Sequence, residues 1–197
     1  MPENDQIKRL LTQISLNSDQ SAYRELFILL HARLKQFAYS ILKSGEEAEE
    51  LVSDVFIRIW QKREQLGEIN TPLLYLYTTT KNLAINQLNK QKKQPTLSSE
   101  EWLVQINSVY FNPEQLMLTE EMLRQVKKAV NELPPRCRLI FKLVKEDGLR
   151  YREVAELLQL SVKTVEAQMA IALRRIGKCM HFGLKTAIPA RPEPQKK

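Results

Sequence analysis

The chain has 197 residues, of which 43% are hydrophobic and 27% are charged, and its formal net charge is +7. This composition describes a soluble chain that forms one medium domain or two small ones, and two small ones fit better. No apolar run reaches the roughly 20 residues of a membrane span, and the polar N-terminus is unlike a secretory signal, so a cytoplasmic protein is expected.

The sequence contains no pattern that indicates a catalytic or metal centre. Cys137 and Cys179 lack a CxxC spacing and fall in helical patterns, which favours buried side chains over a disulfide or a metal site. His31 and His181 stand alone, and there is no glycine-rich phosphate loop or close Ser/His/Asp arrangement. We therefore predict a protein that is not an enzyme and that has no cofactor, no metal and no small-molecule substrate.

The positive charge is unevenly distributed along the chain. Residues 1–94 have a net charge of +2, residues 95–119 have −3, and residues 120–197 have +8. A basic C-terminal part that is joined through an acidic segment to a nearly neutral N-terminal part indicates two domains with different partners.

Three amphipathic helices are predicted first, at about residues 7–14, 20–42 and 46–63. Acidic residues crowd the first turns of the third helix, where negative charge offsets the partial positive charge of a helix N-terminus. Glu50, Ser53 and Asp54 line up opposite the apolar stripe of this helix. They either solvate and stabilise it or form an acidic docking surface for a basic partner. The stripe itself consists of Ala48, Leu51, Val52, Val55, Phe56, Ile59 and Trp60.

A fourth helix is predicted from Pro72, which follows Thr71 as a capping residue, to about residue 93. Its polar side is expected to carry Lys81, Asn82, Asn86, Asn89, Lys90, Lys92 and Lys93. Amides and lysines beside Tyr75 and Tyr77 suit contacts with single-stranded nucleic acid. A solvated helix face is an equally good interpretation of the spacing alone.

The chain continues as an irregular linker at residues 95–112, followed by helices at about residues 113–131 and 135–145. After the last predicted helix, residues 183–197 contain three prolines and little to bury. We expect this tail to be disordered.

The pattern of residues 148–175 predicts two short helices that meet at a tight turn, which is a helix-turn-helix. Ser161 is positioned to cap the second helix at Val162. Val165, Met169, Ala172 and Ile176 would pack inward with Val162, because they recur at steps of three and four. The outward face, the candidate reader of DNA bases and phosphates, consists of Lys163, Thr164, Glu166, Ala167, Gln168, Ile171, Arg174 and Arg175.

Gln159 occupies a turn position that normally carries glycine and often needs a positive φ. Either Gln159 tolerates mild strain, or the turn is slightly altered. A helix-turn-helix is also weak evidence by itself, because similar helical hairpins occur in proteins that bind no DNA.

Three segments in this order resemble the extracytoplasmic-function sigma factors of the sigma-70 family. They are residues 46–64, EEAEELVSDVFIRIWQKRE, residues 72–93, PLLYLYTTTKNLAINQLNKQKK, and residues 133–176, which contain the helix-turn-helix. The resemblance extends over residues 18–178. It implies an all-α protein of two small helical domains, with region 2 at residues 18–94, a flexible acidic linker at 95–112 and region 4 at 113–182.

The resemblance also implies a role for each surface. Core RNA polymerase would be bound by Glu50, Ser53 and Asp54. The melted minus-ten strand of promoter DNA would be held by Glu68, Asn70, Thr71, Tyr75, Lys81, Asn82, Asn86 and Lys90. The minus-thirty-five element would be read by Lys163, Thr164, Ala167, Gln168, Ile171, Arg174 and Arg175. The linker would occupy the nucleic-acid channel of the polymerase.

The KTVE segment at residues 163–166 is similar to the iron-citrate-regulator type of sigma factor, which implies an anti-sigma factor, expected to be membrane-bound. Five positions depart from the family pattern, and they affect the expected promoter sequence rather than the class. Residues 78–80 are all threonine and residue 86 is Asn where the family more often has apolar, Arg or Asp residues, and Gln159 replaces Gly.

Two other classes of protein compete with this interpretation. A transcriptional activator of the quorum-sensing or response-regulator type could use the same recognition helix, but it needs a receiver or ligand domain that the N-terminal half does not suggest. A helical adaptor that binds only protein is the second alternative. The activator would bind duplex DNA alone, and the adaptor would not support promoter-dependent transcription.

Overall fold

The computed structural model describes residues 2–92 and 120–186, and within these stretches all the regular structure is helical. The first stretch contains α1 (Pro2–Asn17), α2 (Gln20–Leu42), α3 (Gly45–Gln61), a 3-10 segment (Arg63–Glu68) and α4 (Pro72–Lys92). The second contains α5 (Glu120–Asn131), α6 (Pro135–Lys145), α7 (Tyr151–Leu158) and α8 (Val162–Thr186). The predicted linker and the predicted start of the fifth helix lie outside the described residues.

Helices α1 to α4 form one bundle in which α2 packs against the other three. Local signals fix where these helices begin. The Asp19 side chain accepts hydrogen bonds from the backbone N–H groups of Ser21 and Ala22, and Ser44 caps α3 through the N–H of Glu47. These caps satisfy donors that have no partner inside the helix, and they set the predicted starts of α2 and α3 to within one residue.

The end of α3 differs from the prediction of a helix to about residue 63. The α-helix ends at Gln61, and the 3-10 segment follows it. Leu66, only 2% exposed, is drawn into the core by this tighter winding. Ser15 donates to the carbonyl of Glu64 at 3.1 Å, and Arg63 Nε donates to Ser18 Oγ at 2.8 Å, which ties the segment to the end of α1.

Helices α5 to α8 form the second bundle, with α8 packed against α5, α6 and α7. Cys137 is buried in it, as predicted. Gly148 adopts a φ of 76° after α6, and the chain closes there through a hydrogen bond from the Leu149 N–H to the Leu143 carbonyl at 2.9 Å. A positive φ is readily adopted by glycine, so this residue permits the sharp entry into α7.

Helix α8 is longer than predicted. It continues through residues 183–186, which were expected to belong to the disordered tail. A single glycine such as Gly183 costs a helix only about 1 kcal/mol and does not by itself terminate one. The first tail proline is Pro189, so residues 187–197, which lie outside the described part of the chain, hold all three prolines.

The two bundles contact each other through α4 and α7. The Lys81 ammonium donates to the backbone carbonyl of Leu157 at 2.9 Å. None of the helices in the described stretches is long and apolar enough to cross a lipid bilayer.

Candidate nucleic-acid interface

The start of α8 is rigidly defined by its cap. The backbone N–H of Thr164 donates to Ser161 Oγ at 3.0 Å, and the two hydroxyl oxygens of Ser161 and Thr164 lie 2.8 Å apart. The predicted cap is therefore confirmed, and it also orients the Thr164 side chain. A helix that reads base edges with its N-terminal residues requires such a fixed start.

The turn between α7 and α8 is built on Gln159, which adopts φ 54° and ψ 47° in the left-handed region. The Leu160 N–H donates to the Ala155 carbonyl at 2.8 Å, and the Gln159 N–H donates to the Glu156 carbonyl at 3.2 Å. This pair of bonds is a Schellman-type closure, which normally favours glycine. Gln159 therefore adopts a strained backbone conformation while the turn keeps its usual form, which is the first of the two predicted alternatives.

The two faces of α8 separate as predicted. Val165, Met169, Ala172 and Ile176 are buried, whereas Val162 is half-buried. The outward face contains four exposed or half-exposed polar and small side chains near the N-terminus and three exposed residues further along, which are Lys163, Thr164, Ala167, Gln168, Ile171, Arg174 and Arg175. The structure thus brings all the predicted minus-thirty-five residues onto one exposed helix.

Helix α6 supports this face from behind. Cys137 Sγ donates to the carbonyl of Gln168 at 3.3 Å. Burial raises the pKa of the Cys137 thiol, an effect that the positive charge of Arg175 partly opposes. The cysteine is therefore a neutral packing residue that holds the middle of α8, not a reactive thiol.

Further arginines are exposed near the N-terminal ends of α6 and α7. They are Arg136, Arg150 and Arg152, and the sequence pattern did not single them out because isolated arginines on short helices carry no spacing signal. The entry to α7 is held by a 2.7 Å hydrogen bond from the Arg150 N–H to Glu153, which is buried. The second bundle thus presents positive side chains from three helices.

Most of the predicted minus-ten residues are accessible. Glu68, Asn70, Thr71, Asn82, Asn86 and Lys90 are exposed, and Tyr75 is half-buried. Thr80 is buried and donates to the Leu76 carbonyl at 2.8 Å, which satisfies its hydroxyl inside the helix. This bond explains how a helix tolerates one member of its threonine run in the core.

Lys81 does not lie on the exposed polar side, so its predicted placement is wrong. Only 6% of its surface is exposed, because α7 covers it. The helical position alone could not predict this, since the covering group comes from a distant part of the chain. Burial lowers the pKa of Lys81, and the negative charge of Glu156 opposes that shift.

A buried polar cluster lies beneath this contact. Lys142 Nζ is 2.8 Å from Asp147 Oδ1 and 3.0 Å from Oδ2, and both residues are buried. Tyr77 of α4 is also fully buried, and its pKa is raised well above the ordinary value by burial and by the charge of Asp147. The Lys142–Asp147 ion pair forms within the second bundle, and its carboxylate lies close enough to α4 to act on Tyr77.

The acidic face of α3 is exposed as predicted at Glu50, Ser53 and Asp54. Next to it, Glu49 accepts from Lys35 and lies 3.0 Å from His31 Nε2. The hydrogen bond from Lys35 lowers the pKa of Glu49, and His31 adds to the effect. His31, which stood alone in the sequence, therefore has a partner from α3.

The sequence analysis did not predict one apolar feature of this face, the exposed side chain of Ile57. Ile57 is 51% exposed, and it follows Ser53 by four positions and Asp54 by three, which puts it on the same side of the helix. An open groove of about 490 Å³ adjoins it, lined by Gln20, Tyr23, Ile57, Trp60 and Gln61. Its signal in the sequence was an isoleucine outside the apolar stripe.

Two helical bundles, one of which ends in a capped helix-turn-helix with a basic, exposed second helix, define a DNA-binding transcription protein. Residues 26–94 match the family model for Sigma-70 region 2, and residues 123–176 match that for Sigma-70, region 4.

The chain is also similar to known sigma factors over most of its length. It is 25% identical to the ECF RNA polymerase sigma factor SigW of Bacillus subtilis (strain 168), over 83% of this chain and 90% of the relative. It is 25% identical to the ECF RNA polymerase sigma-E factor of Escherichia coli (strain K12), over 82% of this chain and 87% of the relative. A chain in the solved structure of CnrH in complex with the cytosolic domain of CnrY shares the fold, with a TM-score of 0.51 and 18% identity over 90% of this chain and 99% of the matched chain.

The chain belongs to the sigma-70 family as an extracytoplasmic-function sigma factor. It directs transcription initiation by RNA polymerase, and it is not an enzyme. This assignment confirms the sigma-factor interpretation of the sequence over the activator and the adaptor.

Proposed function

We propose that this sigma factor uses three separate helical surfaces for polymerase docking, minus-ten recognition and minus-thirty-five recognition. The proposed region 2 is residues 18–94, the linker 95–112 and region 4 residues 113–182. The observation that carries the proposal is the exposed face of α8, because its buried stripe, its Ser161 cap and its basic end together leave one helix free to enter a major groove.

The minus-thirty-five face would combine base contacts with phosphate contacts. Gln168 can make paired hydrogen bonds with an adenine edge, and Lys163 can approach a base or phosphate from the first turn. Arg174 and Arg175 lie at the far end of the contact face, where they suit phosphates that fix the register of the helix. Thr164, Ala167 and Ile171 complete the face with small or apolar contacts.

The docking face would consist of Glu50, Ser53 and Asp54 together with Ile57. Exposed carboxylates attract a basic partner and orient it, which mainly affects the encounter rate. An exposed isoleucine beside an open groove supplies an apolar anchor, and such anchors carry most of the binding energy at interfaces. A basic, partly apolar helical element of core RNA polymerase fits this combination.

The minus-ten face would hold separated DNA. The exposed amides of Asn82 and Asn86 and the exposed ammonium of Lys90 follow one side of α4, and Tyr75 offers an aromatic ring for stacking. Glu68, Asn70 and Thr71, which precede α4, would receive a base that is turned out of the stack. Lys81 would join this set when α7 does not cover it.

We also propose that the protein belongs to the iron-citrate-regulator-like subgroup, which the KTVE segment at residues 163–166 supports. Membership would bring an anti-sigma factor, membrane-bound, that holds the sigma factor in the cytoplasm until a signal arrives. Coexpression with a candidate anti-sigma factor and copurification of the pair would test this part.

Run-off transcription with purified core polymerase tests the division of labour between the two DNA surfaces. Replacing Gln168 by Ala is expected to weaken binding to promoters by about 1–3 kcal/mol if the paired base contact exists. Discrimination among minus-thirty-five sequences should fall with it. Permanganate footprinting should show near-normal strand opening in the complexes that form.

Replacing Asn82 and Asn86 together by Ala is the complementary variant. Filter binding should show near-normal closed complexes, and permanganate footprinting should show reduced opening. A Gln168 variant that is recruited normally but fails to open DNA would contradict the assignment. So would an Asn82/Asn86 variant that opens DNA normally but is not recruited.

A further inference from the structure

The loop at residues 68–71, which the proposed minus-ten surface uses to receive a base, is short and is anchored at both ends. On its C-terminal side α4 begins at once, and the Tyr75 N–H donates to the Thr71 carbonyl at 3.0 Å. On its N-terminal side lies the 3-10 segment, where the buried Leu66 accepts from the Ile69 N–H at 3.3 Å through its carbonyl. Because so few residues separate the two anchors, a displacement of the 3-10 segment moves the loop with it.

Arg63, the first residue of the 3-10 segment, makes three contacts at once. Its Nε donates to Ser18 Oγ at 2.8 Å, and its Nη1 donates to the Trp60 carbonyl at 3.1 Å. Its Cζ atom lies 5.2 Å from the centre of the Trp60 ring, which is within the range of a cation–π interaction. The rigid fork of a guanidinium can serve these divergent partners together, whereas the single ammonium of a lysine cannot. Arg63 therefore joins the end of α3 to the corner between α1 and α2.

A second contact fastens the same segment to α1. Ser15 Oγ donates to the Glu64 carbonyl at 3.1 Å. Gly67 lies against this hydroxyl, because a Cβ atom added at residue 67 would be only 3.2 Å from Ser15 Oγ. The missing side chain of glycine thus permits the close approach of the two backbones. Ser15, Ser18 and Arg63 together form what we call the α1 clamp.

Helix α1 is a firm base for the α1 clamp. Its Ile7, Leu11 and Ile14 side chains are buried in the core, and the helix packs against α2, α4 and the 3-10 segment. A core that is packed in this way transmits a displacement instead of absorbing it. Helix α1 nevertheless precedes residues 26–94, the part of the chain that matches the region 2 model, so the match assigns it no role.

We propose that Ser15, Ser18 and Arg63 are positioning residues for minus-ten recognition, through which α1 holds the loop at residues 68–71 in the geometry that distinguishes one base from another. This inference rests on the minus-ten assignment proposed above. A site that reads a base through hydrogen bonds is selective only while its own groups are held in place, and a loosened loop accepts several bases. Loss of the α1 clamp should therefore flatten the base preference of the loop more than it reduces strand opening.

Transcription from a promoter library by holoenzyme, reconstituted from core polymerase and the full-length chain, tests the proposal. The minus-ten and minus-thirty-five elements are randomised, and a barcode in each transcript identifies the promoter that produced it, which gives the base preference at every position. Asn70→Ala, a change in the exposed loop itself, identifies the minus-ten positions that the loop reads. At these positions Arg63→Lys should reduce the base preference about fivefold, the effect of one lost hydrogen bond. The minus-thirty-five preference is the internal reference and should not change.

Ser18→Gly separates the positioning role from a merely structural one. Ser18 adopts a φ of 48°, which glycine adopts more readily, so the loss of the hydroxyl is accompanied by relief of backbone strain. Circular dichroism should show an unchanged or higher unfolding midpoint, while the minus-ten preference falls as it does in Arg63→Lys. The double variant should be no worse than either single one, because both break the same hydrogen bond. Arg9→Lys makes the same chemical change at an exposed position of α1 and should alter neither measurement.

An unchanged minus-ten preference in Ser18→Gly and Arg63→Lys, at positions where Asn70→Ala flattens it, would overturn the positioning role and leave the minus-ten assignment intact. Equal losses of preference at both promoter elements would also overturn it, since the clamp would then serve the fold as a whole. Failure of the minus-ten assignment has a different signature, because Asn70→Ala would then leave the preference unchanged at every minus-ten position.

Discussion

Gln159 shows how a single residue carries strain for the turn that positions the recognition helix. Its left-handed backbone is required by the Schellman-type closure, yet a side chain with a Cβ atom pays about 1–2 kcal/mol for that conformation. The exposed Gln159 side chain has no packing role that would offset this cost. The turn is thus held by the burial of its neighbours Leu157 and Leu158.

Replacing Gln159 by Gly is expected to stabilise the protein by about 0.5–1 kcal/mol, because relief of strain exceeds the added entropy of the unfolded chain. Urea denaturation followed by circular dichroism measures the change. Gln13→Gly, at an exposed position inside α1, is the matched control and should destabilise by about 1 kcal/mol. Equal destabilisation by both substitutions would show that Gln159 is not strained.

Helix α3 shows how one element combines stability and recognition. Its apolar stripe is buried against α2 and α4, and its acidic first turn suits the helix N-terminus. The outer side carries the docking face, where Ile57 lies beside the carboxylates. Because these functions use opposite sides of the helix, the outer residues can be changed without loss of the fold.

Replacing Asp54 by Lys is expected to weaken binding to core polymerase about fivefold to tenfold at low salt, because it converts an attraction of about 0.5 kcal/mol into a repulsion of similar size. Most of the difference should disappear at high salt because exposed charges are screened. Surface plasmon resonance with immobilised core enzyme measures both effects.

Asp5→Lys provides the control for Asp54→Lys, since it introduces the same charge change at an exposed position of α1. It should bind core polymerase like the unmodified protein. Unchanged affinity of Asp54→Lys at low salt would remove α3 from the proposed docking surface.

At the scale of the whole molecule, the chain between the two bundles must be long enough for both promoter elements to be reached at once. The minus-ten and minus-thirty-five elements lie about 25 base pairs apart, or roughly 85 Å along B-DNA at about 3.4 Å per base pair. The 27 residues 93–119 can span about 90 Å when extended. Deleting residues 97–111 leaves 12 residues between α4 and α5, which span only about 40 Å. The shortened protein should retain core binding but lose transcription from promoters that require both elements. Run-off transcription and core-binding measurements separate the two effects.

A Gly/Ser segment of the same length in place of residues 97–111 is the informative control. It restores reach but removes the negative charge and the aromatic residues. Recovered promoter recognition would show that length is the requirement. If the shortened protein transcribes normally, the two bundles do not need the predicted separation.

Patterns within a few residues predicted most of the local structure. The starts of α2 and α4, both ends of α6, the Ser161 cap and the two faces of α8 follow from apolar spacing and capping side chains, which act over one or two helical turns. The order of three motifs along the chain was enough to indicate the sigma-factor family. These features are local or sequential, so a linear pattern contains them.

Only the tertiary structure decided which polar residues are covered and by what. Lys81 occupies a polar position on its own helix, and it is buried because α7, 76 residues further along the chain, reaches it. His31 gained Glu49 as a partner in the same way, and Ile57 became part of a groove through Tyr23 and Trp60. Contacts between distant segments depend on how helices pack, and helical periodicity specifies a face without specifying what lies against it.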